Sequence, residues 1–325
     1  MMFKKMVAGL LAITLCFGLA ACGETDEGET TEANINSETT DEPYVPFPPN
    51  DEDGGDVKST SSGGSGGSGN SDNDGGSAEA PTSNTVRVTL TEGMTLVKMS
   101  WALEEKGVCS SKEFIDASQN TDFSKYPLVA AAMKAPNVCL KLEGYLKPDT
   151  YEFYKNEAPE QVLDKLLSAM ESSITSQMRS RAAQLGYSMH EILALASIVE
   201  KEGQTKDQRE NVASVLHNRL KTGMQLQCDA TINYVEYVIG TEEVYNKNDP
   251  AQYQKYDYYR RYYSTKRCAG LPAGPICNPS MESIKAALYP ADTNYLYFAI
   301  KNGQALYAAD YDTHLANCDK LGVTY

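Results

Sequence analysis

The chain has 325 residues, with 29 Lys and Arg against 44 Asp and Glu, a formal net charge of −15, three His and eight Cys. Fifteen acids and one lysine lie in residues 23–84 and two lysines in the first 22, so the remainder carries only about −3. That remainder is long enough to bury a sizeable core; its near-neutral balance argues against nucleic acid as a partner, and the scarce histidines and lack of Cys-x-x-Cys spacing give no metal or other cofactor to expect.

In chain order, Met1-Met2-Phe3-Lys4-Lys5 and the apolar run to Ala21 read as a secretory signal over 1–21, short for a membrane span. It ends Leu19-Ala20-Ala21-Cys22-Gly23, which resembles a bacterial lipobox. The resemblance implies cleavage before Cys22, lipidation of that cysteine and a lipid anchor at the extracytoplasmic face of the cell membrane. Residues 22–84 are rich in Gly, Ser, Thr, Asp and Glu and read as a disordered acidic tether of roughly 40–50 Å root-mean-square span. An exported body permits disulfides. Among the six cysteines beyond the lipobox, Cys109–Cys139 is the favoured pair, and Cys228 is expected to pair with Cys277 or Cys268.

The folded part divides into an α+β subdomain over 85–150 and a larger, mostly helical domain over 151–325. Val86-Arg87-Val88-Thr89-Leu90 alternates like a strand. Thr95 to Lys106 reads as a helix with Leu96, Met99 and Leu103 on one face, stopped by Gly107, and a second helix starts after Ser110-Ser111. Strand-like residues flank the turn at Pro148-Asp149. From Pro159 the chain turns helical, and another helix covers about 206–222, with Val212, Val215, Leu216 and Leu220 inward. The stretch beyond it, full of Pro, Gly and Tyr, reads as irregular. It includes Tyr253, Tyr256, Tyr258, Tyr259, Tyr262 and Tyr263 with Arg260 and Arg261, a crowded loop whose rings could also stack on sugars. Asn302-Gly303 between two apolar runs marks a hairpin, and a last helix includes His314 and Asn317. His217 and His314 have no obvious partner and read as structural.

One helix carries a chemical signal. Ser188-Met189-His190-Glu191 is a capping box, and the helix it starts runs through Leu193-Ala194-Leu195-Ala196-Ser197-Ile198-Val199 to Glu200-Lys201-Glu202, where Gly203 stops it. On a helical wheel Glu202 lies roughly 50° from the centre of the apolar stripe and Glu200 roughly 110° away. A carboxylate on the apolar side is costly to ionise, so its pKa rises, as a general acid requires.

Six segments then match one family in order: Glu143-Gly144-Tyr145-Leu146-Lys147-Pro148-Asp149-Thr150-Tyr151; Ala196 to Glu202; Val212-Ala213-Ser214-Val215 with Asn218-Arg219-Leu220; Met224 to Thr231; Gly270 to Ile276 with Asn278-Pro279; and Tyr295-Leu296-Tyr297-Phe298. Over roughly residues 86–320 the chain resembles the YceG-like endolytic murein transglycosylases. The resemblance implies a LysM-like module at 85–150 and a YceG-like catalytic domain at 151–325. It also implies a lyase that breaks MurNAc–GlcNAc bonds inside peptidoglycan strands, leaves 1,6-anhydro-MurNAc ends and serves cell-wall assembly and remodelling. Peptidoglycan strands, the membrane through Cys22, and cell-wall synthases are the expected partners. The chain departs from the family's pattern at Tyr263-Ser264-Thr265-Lys266, at Pro272-Ala273 and at Gly203, where the family commonly has Thr or Ala.

The family's catalytic acid aligns with Glu202, the residue the wheel selects. Glu200 is its supporting carboxylate or the alternative acid. Asn218, Arg219, Gln227, Asp229, Thr231, Thr265 and Asn278 are candidates to bind substrate or orient Glu202. For three of them a structural role is equally open: Arg219 and Asp229 as an ion pair, Asn278 as a turn cap. Two other readings stand beside the lyase: a catalytically inactive peptidoglycan-binding scaffold, and a hydrolytic muramidase in which Asp229 activates water.

Overall fold

The computed structural model describes residues 84–323. The signal segment, the lipidation site Cys22 and all but the last residue of the tether lie outside the described residues.

The first unit opens with β1 (Thr85–Leu90), α1 (Leu96–Glu105), α2 (Ser111–Asn120) and α3 (Pro127–Ala132), and β2 (Asp149–Tyr154) closes it. The strands pair antiparallel from Thr85↔Tyr154 to Leu90↔Asp149. Alternation turns Val88, Leu90, Tyr151 and Phe153 inward onto Leu96, Met99, Leu103 and Phe114. Thr95 and Ser110 cap α1 and α2 with their side-chain oxygens. All six residues of β2 are used in the pairing, so the strand crosses the boundary drawn at 150/151.

The second unit is a bundle around one helix. It comprises α4 (Pro159–Ser173), α5 (Ser176–Leu185), α6 (Met189–Glu202), α7 (Lys206–Thr222), α8 (Asp229–Tyr234), α9 (Pro250–Tyr263), α10 (Met281–Leu288), β3 (Tyr297–Lys301), β4 (Gln304–Ala308) and α11 (Tyr311–Leu321). Eight consecutive residues of α6, Ile192 to Val199, are buried. A helix apolar on every side needs neighbours on every side, and α3, α5, α7, α8 and α10 all pack on it. The reciprocal capping box of Ser188 and Glu191 fixes its start. With two small antiparallel sheets among many helices, the fold class is α+β.

Two expectations are corrected here. The tyrosine-rich stretch is helical: Asp249 caps Ala251, Pro250 takes the first turn, and α9 runs to Tyr263. Only Tyr256 and Tyr263 of that helix are buried, a contact too sparse to print a period on the sequence. α8 likewise continues into a π-helical stretch at Val235–Ile239. All six described cysteines are free. Cys277 Sγ donates to the Ser197 carbonyl at 3.4 Å and Cys228 Sγ to the Leu226 carbonyl at 3.5 Å, each within its own packing environment.

The hairpin forms as its turn chemistry dictates. Asn302 and Gly303 take positive φ of 52° and 76°, and β3 and β4 pair from Tyr297↔Ala308 to Lys301↔Gln304. The Gln208 side chain on α7 donates to the Gly303 carbonyl at 2.7 Å, tying the hairpin tip to the bundle. Among the described residues no helix is long and apolar enough to cross a membrane.

The β1–β2 part and the bundle belong to one folded body and meet at a buried polar knot. Asn278 accepts from the Gly144 and Leu146 N–H groups at 2.9 and 3.0 Å and donates to Glu143 at 3.0 Å and to the Met94 carbonyl at 3.1 Å. Glu143, fully buried, also accepts from the Leu96 N–H at 2.9 Å and from the Tyr234 hydroxyl at 3.2 Å. Gly144 has φ +86°, and a Cβ there would meet Pro275 at 2.4 Å. Only glycine allows both the turn and the approach.

Candidate active site

Glu202 is the last residue of α6. Gly203 ends the helix with its N–H on the Val199 carbonyl at 2.8 Å and turns the chain into extended backbone. The chain then returns as α7, so close that a Cβ on Gly203 would meet the Arg209 backbone nitrogen at 2.9 Å. This turn delivers the Glu202 carboxyl to the mouth of the bundle. It faces a cleft of about 250 Å³, floored by Leu226, Gln227, Cys228 and Asp229 and walled by Tyr297 and Phe298 of β3 and Tyr311 and His314 of α11, with Arg219 at one side.

Burial pushes the Glu202 carboxyl up to about 7, with a smaller upward push from the Asp229 charge, while the Ala230 N–H pulls it down. Near neutral pH the group is thus divided between acid and carboxylate, able to give a proton and then accept one. Asp229 itself is exposed and pairs with Lys266 at 2.9 Å.

Of the candidates, Glu202, Arg219, Gln227 and Asp229 share this cleft. The suggested Arg219–Asp229 ion pair is absent. Arg219, 8% exposed, donates from Nε to the Leu296 carbonyl at 2.5 Å and from Nη1 to the Leu226 and Gln225 carbonyls at 2.8 and 3.3 Å. Its guanidinium lies 5.1 Å from the centroid of the Tyr297 ring. Gln227 takes φ +52°, and its N–H reaches the Thr265 carbonyl at 3.3 Å.

The remaining candidates build the cleft from behind. Thr231 and Thr265 are fully buried, bond each other at 3.0 Å and hold both backbone groups of Cys228, so they fix the floor loop. Asn218 donates to the Thr293 and Tyr295 carbonyls at 2.9 and 3.0 Å and sets the approach to β3. Asn278 is in the inter-unit knot with every side-chain group occupied. Glu200 points away from the cleft. It accepts from Ser280 N–H at 2.9 Å, Ser280 Oγ at 2.5 Å and Ser283 Oγ at 2.6 Å, with Arg209 at 3.7 Å, and so locks α6 to the start of α10.

Sequence reasoning missed the aromatic wall. Tyr297 and Phe298 lie in a recognised motif that the sequence marks only as strand. His314, read as structural, stacks on Tyr297 with ring centroids 5.1 Å apart and lines the cleft. The signal was Tyr311 and His314 three apart on one face of the last helix. His217 is structural, its Nε2 on the Ala287 carbonyl at 2.8 Å. The α9 tyrosines are not in the cleft. Tyr256 bonds Glu236 and Tyr258 bonds Asn137, each at 2.6 Å. A larger, shallower depression of about 750 Å³ lies between α4 and the segment 121–125, but its Asp164 is already engaged by Lys125 and Tyr126.

Fold and cleft define the class: an α+β protein of mainly helical build that presents one raised carboxyl group in an aromatic-walled groove. More particularly, the chain belongs to the YceG-like family, which it matches over residues 75–320. It is 32% identical over 243 residues to an endolytic murein transglycosylase of Bacillus subtilis, covering 72% of this chain and 64% of the relative. It is 28% identical over 257 residues to one of Streptococcus pneumoniae, covering 75% and 46%. The chain therefore spans about half to two thirds of the length of these relatives. The crystal structure of a yceG-like protein of Listeria monocytogenes superposes with a TM-score of 0.55 at 26% identity, over 71% of this chain and 74% of that one.

Proposed function

We propose that this chain is an endolytic peptidoglycan lytic transglycosylase in which Glu202 serves as acid and then base. Cleaving a glycosidic bond requires a proton on the leaving oxygen and stabilisation of an oxocarbenium-like centre. Protonated Glu202 donates to the bridging MurNAc–GlcNAc oxygen. The carboxylate so formed takes the proton of the MurNAc C6 hydroxyl, which closes on C1 and leaves a 1,6-anhydro end. The observation that carries this reading is the single raised carboxyl in the cleft: its neighbour Asp229 is exposed and held by Lys266. The flat rings of Tyr297 and Tyr311 suit the apolar faces of sugars. The β1–β2 unit is read as a LysM-like saccharide-binding module, and Cys22 as the lipid anchor that holds the body at the outer membrane face beside newly made strands and their synthases.

The test is digestion of purified glycan strands by the full chain in detergent, with products read by mass spectrometry. Anhydro ends are expected. E202Q should cut about 10²–10⁴ times more slowly, and E202Q releasing such ends at the wild-type rate would overturn the assignment. Because Asp229 borders the same cleft, digestion in ¹⁸O-water separates the lyase from a muramidase: label in the product would favour hydrolysis.

A further inference from the structure

The cleft contains an uncompensated cation. Arg219 as a residue is 8% exposed, and every protein group its guanidinium bonds is a neutral backbone carbonyl: Leu296, Gln225 and Leu226. Among the described residues no carboxylate lies within salt-bridge distance of it, and Nη2 makes no hydrogen bond to protein. That atom is not sealed in the interior either. Carbonyls satisfy N–H groups without cancelling the charge, and a buried cation without a counter-ion is costly.

The other charges facing the cleft leave Arg219 unanswered. Asp229 is held at the rim by Lys266. His314 has its pKa lowered, by burial first and by Arg219 second, and so stays neutral near pH 7. Glu202, when it holds the proton needed for the proposed chemistry, is neutral too. The working cleft thus carries one net positive charge at a fixed place. Arg219 is also held in place: Nε is tied to Leu296, just before β3, and Nη1 to the floor loop, and the Tyr297 ring lies 5.1 Å from its centre. A planar, pre-oriented guanidinium with a free N–H edge is a carboxylate receptor.

We propose that Arg219 forms an anion subsite that binds a carboxylate carried by the saccharide chain, through Nη2. The inference rests on the reading of the cleft as a glycan site. Two sources supply this chemistry in peptidoglycan: the lactyl carboxylate of a strand stripped of its peptides, and the carboxylates of an attached peptide stem.

The experiment compares four strands on the full chain: stem-bearing, stripped, and each of these with its carboxylates converted to methylamides. Cleavage is followed on wild type and on R219Q, and binding on E202Q by calorimetry. Wild type should lose about ten- to a hundredfold in kcat/KM on a methylamidated strand, the range of one charge-assisted hydrogen bond. R219Q should be slow on the native strand and indifferent to methylamidation. Whichever native strand shows the loss identifies the source. Equal cleavage of native and methylamidated strands by wild type would overturn the subsite while leaving the lyase intact. If wild type cuts nothing, the functional reading fails, and E202Q binding still scores the subsite: weaker binding of methylamides supports it and equal binding overturns it. If R219Q unfolds, because Nε and Nη1 also hold the loops, the wild-type comparison stands without it.

Discussion

At the scale of single residues, two glutamates two positions apart end up with opposite jobs. The wheel count puts Glu200 and Glu202 on different faces, and their side chains do point apart, Glu200 to α10 and Glu202 to the cleft. Burial alone would not have separated them, since the Glu200 side chain is only 7% exposed. What separates them is company: two serine hydroxyls, a backbone N–H and Arg209 satisfy Glu200, whereas a single N–H opposes the desolvation of Glu202. The two serines lie some eighty residues away and leave no mark on the local sequence. In the proposed reaction Glu202 must be protonated to act as acid, so kcat/KM should fall as pH rises through about 7. Asp229 adds to the upward shift by charge repulsion, so D229N should move that falling limb to lower pH. A pH–rate profile of the two proteins checks this, and an unmoved limb would show that Asp229 does not act on Glu202.

Among the elements, those that locate the site were legible wherever local chemistry defines them. The capping box at Ser188 and the Asn302-Gly303 turn depend on neighbours in sequence. α9 was not legible, because it fully buries only two tyrosines seven residues apart, half-buries Tyr259 against Tyr245, and leaves Tyr253, Tyr258 and Tyr262 exposed. The aromatic wall was half legible: the hairpin could be read from its turn, but which strand face meets α11 is a tertiary fact. The joint between α6 and α7 gives a prediction of its own. Gly203 does not need its conformation, with φ −102°; it needs the space, since a Cβ would press on the Arg209 backbone and its Cγ at 2.9 Å. G203A should therefore destabilise the chain by about 1–3 kcal/mol, the usual cost of overpacking. Urea denaturation measures this. A neutral result would mean that α7 shifts outward freely, as an alanine or threonine at the equivalent place would require.

For the whole molecule, the decisive contact is the knot that joins the first unit to the bundle. The sequence pointed to Glu143 and Asn278 as members of motifs, and to Asn278 as a substrate contact or turn cap, but the two are 135 residues apart and their bond is visible only in three dimensions. Burial drives the Glu143 carboxyl up to about 8, against the smaller opposing pull of the Leu96 N–H and the Tyr234 hydroxyl. Folding therefore raises its affinity for a proton. Between about 4.5 and 8 the native state holds a proton that the unfolded chain gives up, so the stability due to this group is complete at low pH and is lost as pH rises through 8. Glu202 acts in the same sense up to about 7. The unfolding free energy, and with it the melting temperature, should thus fall from pH 5 to pH 8, the free energy by at most about 1.4 kcal/mol per pH unit from each group. Glutamine imitates the neutral acid: its oxygen can accept from Leu96 and Asn278, and its amide can donate to the Tyr234 oxygen. E143Q should fold and show a flatter pH dependence than wild type, and E143Q combined with E202Q a flatter one still. E143A should be destabilised at every pH by about 1–3 kcal/mol, because it leaves buried donors unanswered. Calorimetric scans at pH 5, 6.5 and 8 decide the matter; an E143Q curve parallel to wild type would mean that Glu143 is ionised in the folded chain and that the two units are joined by a buried charge rather than by a neutral hydrogen-bonded acid.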